Sequence, residues 1–402
     1  MNVIRYDVTS VVSHGTPAIA IRGSTDPLDF IVVGAGMAGA SVAAALAATS
    51  RVALIEAETQ PGFHTTGRSA ALFAPNYGSP IFRALTRASA AFLRSAPADF
   101  FPTALLRPRG ALYVARAGQE QALEETLASI REANSIVEVL SGEAARGMVP
   151  SLRPGYVTSA LYEPDVHDID VAALLQGFLR QGKALGVRLY TGARCTPQRH
   201  GSSWRVHVDG EILSAPVLIN AAGAWADELA AACGATPLGL RPLRRTAALI
   251  DAPPGVPVDA WPTVFDVGEE FYFKPDASRL LISPADEEPA APGDAYADDL
   301  AVALAIERIE GALDVEVRRV RHSWAGLRTF APDREPVIGY DPGVAGLFWC
   351  AGQGGYGIQS APAGAQLAAA LARGEAVPAT ITAERVTAQA VSPSRFLPAA
   401  AR

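Results

Sequence analysis

Glycines at 34, 36 and 39, with an acid at Glu56, carry the spacing that dinucleotide chemistry requires. Gly34 permits a tight turn, Gly36 lets backbone approach a pyrophosphate, and Gly39 lets a helix pack closely on the preceding strand. A helix opening at this turn offers free N–H groups and a partial positive charge to phosphate. Glu56 suits ribose hydroxyls and repels a 2′-phosphate, which argues against NADP. Donors and small residues follow: Thr65, Thr66, Arg68, Ser69, Ala70 and Ala71. An NAD domain would continue with another βαβ half. This stretch instead reads as chain laid along an extended cofactor, FAD. A second glycine cluster, residues 352–357, opens a late helix whose positive end suits the negative charge of a reduced flavin. Arg328 sits among Trp324, Leu327 and Phe330, an apolar setting unlike that of an ordinary surface cation. No histidine lies at metal-ligand spacing, so no metal site is expected.

These residues need elements to hold them. The run Phe30–Val33 is a buried strand, residues 40–48 form a helix, and 51–55 form a second strand, together one βαβ unit. Residues 111–114 read as a strand and 117–133 as a charged helix. Asp170 opens a helix with Leu174, Leu175, Phe178 and Leu179 on one face. Strands follow at 187–190, 204–208 and 217–220. Proline- and aromatic-rich residues 241–330 suggest a separate antiparallel sheet, and 347–350 a last buried strand.

At 402 residues the chain exceeds one ordinary core, since cores split beyond roughly 250–300 residues. Nucleotide elements at both ends imply interleaved domains. The expected fold class is α/β, a Rossmann-like FAD-binding domain of the glutathione-reductase type with an interleaved α+β substrate domain on a mostly antiparallel sheet. The expected boundaries are 1–28 for an extension, 29–82, 139–234 and 325–395 for the FAD-binding domain, and 83–138 and 235–324 for the substrate domain.

A net charge of −7 advertises no basic face for nucleic acid or anionic membrane. Apolar residues at 49% exclude a disordered chain. Three scattered cysteines argue against a disulfide framework and suit a reducing compartment, so a cytoplasmic protein without a membrane span is expected.

The segments DFIVVGAGMAGAS, LIEAE, HTTGRSAA, INAAGAWAD, WAGLRTFAPDREPVIG and GQGGYGIQ resemble, in order, the D-amino acid oxidase superfamily of FAD-dependent oxidoreductases, over about residues 29–375. RPLRRTAALI, FYFKPD and SPSRFLP look most like its D-arginine dehydrogenase branch. The resemblance implies non-covalent FAD, held by Gly34, Gly36, Met37, Ala38, Gly39, Glu56, Ala57, Thr65, Thr66, Arg68, Ser69, Ala70, Ala71, Cys195, Ala222, Gly223, Gly352, Gly354, Gly355, Tyr356, Gly357 and Ile358. It implies oxidation of a D-amino acid by hydride transfer from the α carbon to flavin N5. The imino acid then hydrolyses to 2-oxo acid and ammonia. The electron acceptor, oxygen or a quinone-like carrier, stays open. The alternative is a secondary amine (sarcosine, D-proline) or a 2-hydroxy acid as substrate.

By the same resemblance Arg328 clamps the substrate carboxylate, with Arg245 as a second charge and Tyr272 beside it. Tyr77 is a lid tyrosine, and Gly355 offers its carbonyl to the amine. A departure appears in the side-chain pocket. Where the D-arginine branch holds the guanidinium with an acid, this chain has Ala111, and Leu72 and Ala74 replace a histidine and a threonine. A larger or more apolar wall of Leu72, Ala74, Ala111 and Phe265 is expected, with neutral or apolar side chains preferred.

Overall fold

A computed structural model describes residues 27–133 and 135–397. The expected 1–28 extension lies outside them apart from its last two residues. A six-stranded sheet runs Val337–Tyr340, Leu347–Ala351, Val217–Asn220, Phe30–Val33, Val52–Ile55 and Arg188–Tyr190. All neighbours are parallel except the first pair. Its strands are apolar without alternation because both faces are covered. Phe30 and Val32 point into a layer of helices, Met37–Ala47, Val171–Ala184 and Ala361–Ala372, alongside Val42, Leu46, Leu174 and Leu367. Ile31 points the other way, toward Trp204, Val206 and Leu213 of a three-stranded antiparallel sheet, residues 198–215. Asp170 caps its helix by accepting from the Ala173 amide at 2.8 Å, and Asp298 caps Asp299–Ala312 in the same way.

The second layer is a ten-stranded sheet, ordered Gln353–Gly354, Val320–Phe330, Arg241–Asp251, Arg279–Ser283, Tyr272–Asp276, Thr263–Asp266, Ala111–Ala115, Ser159–Glu163 and Glu138–Ser141, with Glu288–Pro289 beside Arg241–Asp251. Only Thr263–Asp266 and Ala111–Ala115 pair in parallel. Alternation separates its two faces. Ala248, Ile250, Phe273 and Ile282 meet Ile309 and Ala305 of helix Asp299–Ala312, while Ala247, Tyr272 and Leu281 face the opposite side.

Three expected boundaries move. The 138/139 boundary cuts the strand Glu138–Ser141, and Ser159–Glu163 pairs with Ala111–Ala115, so residues through Glu163 lie with the large sheet. The 324/325 boundary falls inside Val320–Phe330, one continuous strand whose far end carries Arg328. The helix Pro80–Arg94, expected with the substrate domain beyond 82, packs Ala84, Leu85 and Leu93 into the core beside Ala361–Ala372. Hydrogen-bonded pairing and helix packing, not breaks in composition, decide these boundaries.

Candidate active site

Strand Phe30–Val33 ends at a turn in which the Gly34 amide donates to the Ile55 carbonyl at 2.7 Å. Gly34 has φ +102°, in the left-handed region. A side chain at Gly39 would put its Cβ 1.8 Å from the Gly34 carbonyl oxygen, so helix Met37–Ala47 can approach this turn only with glycine there. Gly39 is therefore a packing residue and does not line the cavity. Glu56 follows strand Val52–Ile55. Its Oε2 accepts from the Ala35 amide at 2.8 Å and its Oε1 from the Glu58 amide at 2.9 Å.

Residues 62–71 bridge the two layers. Thr66 Oγ1 accepts from the Met37 amide at 3.0 Å, and Thr65 Oγ1 donates to the Leu327 carbonyl at 2.7 Å. Arg68 donates to the Ala325 carbonyl at 3.1 Å, and the Trp324 indole donates to the Arg68 carbonyl at 3.0 Å. The same stretch thus touches the glycine turn at one end and the Arg328 strand at the other. Between them runs one cavity of about 510 Å³, lined from Gly36 and Glu56 at one end to Tyr272 and Arg328 at the other.

At the second end the sheet supplies the floor. Leu243 pairs with Arg328, Arg245 with Gly326 and Ala247 with Trp324, so alternation places Arg328 and Arg245 on one face of the sheet. Arg328 has no ion-pair partner among the described residues. The phenols of Tyr77, Tyr272 and Tyr356 lie near it. Burial acts to lower its pKa, but the Tyr77, Tyr272 and Tyr356 oxygens outweigh that and raise it, so the guanidinium stays charged. Arg245 also lines the cavity, but its guanidinium is engaged: Nε donates to the Asp286 carbonyl at 2.7 Å, and Nη2 lies 3.2 Å from Glu287. Of the two arginines, Arg328 is the one whose charge is left for a ligand.

Besides the residues already placed, Ala38, Ala57, Ser69, Ala70, Cys195, Ala222, Gly223, Gly354, Gly355, Gly357 and Ile358 line the cavity. Ala71, Gly352 and Tyr356 do not. Ala71 packs toward the helical core, and Gly352 turns at φ +74° against Val337. The Tyr356 ring lies 5.2 Å from Tyr77 and 4.9 Å from Phe82, behind the cavity wall. The expected side-chain wall is also set back. Ala74, Ala111, Leu72 and Phe265 cluster with Tyr77, and Tyr77 stacks on Phe265 at 5.9 Å, closing them off from the cavity. None of these five residues lines the cavity.

Several lining residues escaped the sequence reading. Trp225 sits two positions after Gly223 inside a quoted motif and packs its ring 4.7 Å from His64. Thr329 and Gln353 neighbour expected residues on adjoining strands, where Thr329 pairs with Gly354 and Gln353 with Phe330. Position beside a recognised motif was the only signal for any of them.

The lining fits FAD by its own chemistry. Two buried side-chain atoms without a protein partner, His64 Nδ1 and Thr329 Oγ1, belong to residues of this wall. A Cβ at Gly36 would meet only Thr66 Oγ1, at 3.4 Å, which leaves the cavity side of the turn open for close backbone approach. Cys195 lines the cavity with its thiol pushed up to about 11 by burial, and Cys350 is buried within strand Leu347–Ala351 and does not reach it.

A two-layer α/β fold with a glycine turn, the Glu56 carboxylate and an unpaired arginine across one cavity is that of a flavin-dependent oxidoreductase. The profile of the FAD dependent oxidoreductase family, DAO, matches residues 29–371, and the chain belongs to that family; its cofactor is FAD. It is 26% identical over 385 residues, 83% of this chain and 79% of the relative, to FAD-dependent oxidoreductase domain-containing protein 1 of Bos taurus. Its fold is similar to that of glycine oxidase from Geobacillus kaustophilus, with TM-score 0.79 and 24% identity, covering 93% of this chain and 100% of the other. It is also similar to L-proline dehydrogenase from P. horikoshii, with TM-score 0.75 and 18% identity, covering 92% and 98%. No helix among the described residues is long and apolar enough to cross a membrane.

Proposed function

We propose that this oxidoreductase acts on the Cα–N bond of free D-amino acids with neutral or apolar side chains, yielding the imino acid. The observation that carries the reading is Arg328, a charged guanidinium on the cavity floor with no acid partner among the described residues. Such a group calls for an anion, and its planar fork binds a carboxylate through two parallel hydrogen bonds. The phenols of Tyr77 and Tyr272 flank the bound carboxylate and keep water from it. The Gly355 carbonyl accepts from the substrate amine, which must be neutral for oxidation. Bound FAD, held non-covalently, supplies the acceptor for a hydride from Cα. No serine–histidine relay is needed, because the amine nitrogen's own lone pair supports the developing imine.

The apolar cluster of Leu72, Ala74, Ala111 and Phe265 supports the side-chain preference, since the acid that enters it, Glu163, already accepts from Asn76 and Tyr113. A second reading has its own support. With Tyr77 stacked on Phe265 the side-chain wall is closed, which suits a small amine such as sarcosine, and the similar folds include enzymes named for glycine and L-proline. Anaerobic bleaching of the flavin by a panel of D- and L-amino acids, sarcosine, proline and 2-hydroxy acids separates the readings. Bleaching by neutral D-amino acids supports the first. Bleaching by secondary amines or L-enantiomers alone overturns it. Oxygen uptake against reduction of a quinone-like dye then identifies the acceptor.

A further inference from the structure

Behind the cavity wall lies a buried acid that the proposed chemistry does not use. Glu163 ends strand Ser159–Glu163, is 1% exposed, and stands directly opposite Ala111 in the antiparallel pairing. Opposed residues point to the same face, so its carboxylate enters the cluster that Ala111, Tyr113, Phe265 and Tyr77 form. Oε1 accepts from Asn76 Nδ2, and Oε2 accepts from the Tyr113 hydroxyl at 3.3 Å. Asn76 Oδ1 accepts in turn from Ser135 Oγ at 3.2 Å. Among the described residues no cation pairs with Glu163. The charged group near it is Asp165, itself paired with Arg94 at 2.7 Å.

Asn76 immediately precedes Tyr77, whose phenol lies near Arg328 and whose ring stacks on Phe265 at 5.9 Å. Phe265 stacks on Tyr113 at 5.4 Å, and Tyr113 returns to Glu163. The contacts close a ring: Glu163, Asn76, Tyr77, Phe265, Tyr113. We infer that Glu163 is a positioning residue that holds Tyr77 over Arg328 by anchoring Asn76 and Tyr113 at once. An aromatic stack alone is tolerant of sliding, and the two polar anchors at its ends fix where Tyr77 sits. Burial of so costly a group is otherwise unexplained, because an apolar residue at 163 would complete the cluster without desolvating a carboxylate.

The inference deepens the reading of Arg328 and Tyr77 as substrate-binding residues, and its first test does not depend on turnover. The FAD-loaded wild type, Asn76→Ala, Glu163→Leu and Glu163→Gln are treated with tetranitromethane, and nitration of Tyr77 is followed by peptide mass mapping. Release of a buried hydrogen-bonded anchor predicts nitration about fivefold faster or more in Asn76→Ala and Glu163→Leu, with Glu163→Gln recovering most of the protection because its amide still accepts from Asn76. Unchanged nitration in Asn76→Ala overturns the proposal, and that variant judges it even if Glu163→Leu does not fold. Kinetics on the best substrate add a cycle. Asn76→Ala should lower kcat/KM about tenfold when Tyr77 is present and less than about twofold in a Tyr77→Ala background. Equal losses in both backgrounds overturn the proposal. Faster nitration in a protein that oxidises no amino acid would keep the anchor and sink only the substrate reading.

Discussion

A methyl group on Gly355 would stand 2.8 Å from Nη1 of Arg328 and 3.0 Å from its Cζ. The glycine cluster and the arginine strand therefore meet face to face, with the guanidinium resting on backbone that only glycine leaves bare. Pairing of Gln353–Gly354 with Thr329 and Phe330 produces this approach. Gly355→Ala should push the guanidinium aside. Since misplacing a positioning group by about 1 Å can cost 10²-fold, kcat/KM for the best substrate should fall by about that factor. Wild-type kinetics in the variant would show that Arg328 tolerates displacement.

Arg328→Met should retain FAD and lose oxidation. Removing one partner of a buried ion pair costs about 3–5 kcal/mol, or roughly 10²- to 10³-fold in kcat/KM. Without substrate Arg328 has no acid to lose, so Tm should stay the same or rise. A sharp fall in Tm would mark the arginine as structural instead.

Glu56→Ala removes the acceptor for two backbone amides and a carboxylate that lines the cavity. Each buried donor left unpaired costs about 1–3 kcal/mol. Both Tm and FAD affinity should drop, the latter read from recovery of flavin fluorescence on dilution. Undiminished FAD retention would remove Glu56 from the cofactor site.

D-leucine, D-methionine and D-phenylalanine should outperform D-arginine in kcat/KM. A buried cation without a partner costs about 3–5 kcal/mol, while an apolar side chain gains about 0.8 kcal/mol per buried CH₂. The acid nearest this wall, Glu163, is already occupied by Asn76 and Tyr113. D-arginine winning tenfold or more would sink the preference.

Ala111→Glu would set two carboxylates directly opposite each other, since Ala111 pairs with Glu163. Burial already raises the Glu163 pKa against the lowering pull of Asn76 and Tyr113, and a second acid would raise the pair further. An acid whose folded pKa lies above its unfolded value favours the fold at low pH. That stability is fully present below the unfolded value of about 4.3 and lost as pH rises through the folded one. The Tm deficit of Ala111→Glu relative to wild type should therefore be larger at pH 8 than at pH 5. A deficit independent of pH would place the new carboxylate in solvent.

The nucleotide half was legible because its information is local. Gly34, Gly36, Gly39 and Glu56 lie within one βαβ unit, where turn, helix start and strand end follow from residue type and short spacing. Arg328 could be singled out by its apolar neighbours, and the strand alternation around Tyr272 was readable from its own segment. Other features had no local signal. That Arg245 is tied to Glu287 while Arg328 stays unpaired, that strands 138–141 and 320–330 cross the expected boundaries, and that Tyr77 closes off the side-chain wall all depend on which strands and loops meet. Glu163 is the clearest case. Nothing in its own segment marks it, and only the register between Ala111–Ala115 and Ser159–Glu163 puts it opposite Ala111; a slip of one residue would turn it to the other face. Residue types and short spacings pointed to the cofactor, and family resemblance to the candidate anion clamp, because both are written in contiguous chain. Tertiary structure alone decided which charges remain free and what packs around Tyr77, because pairing and burial join residues that are distant in sequence.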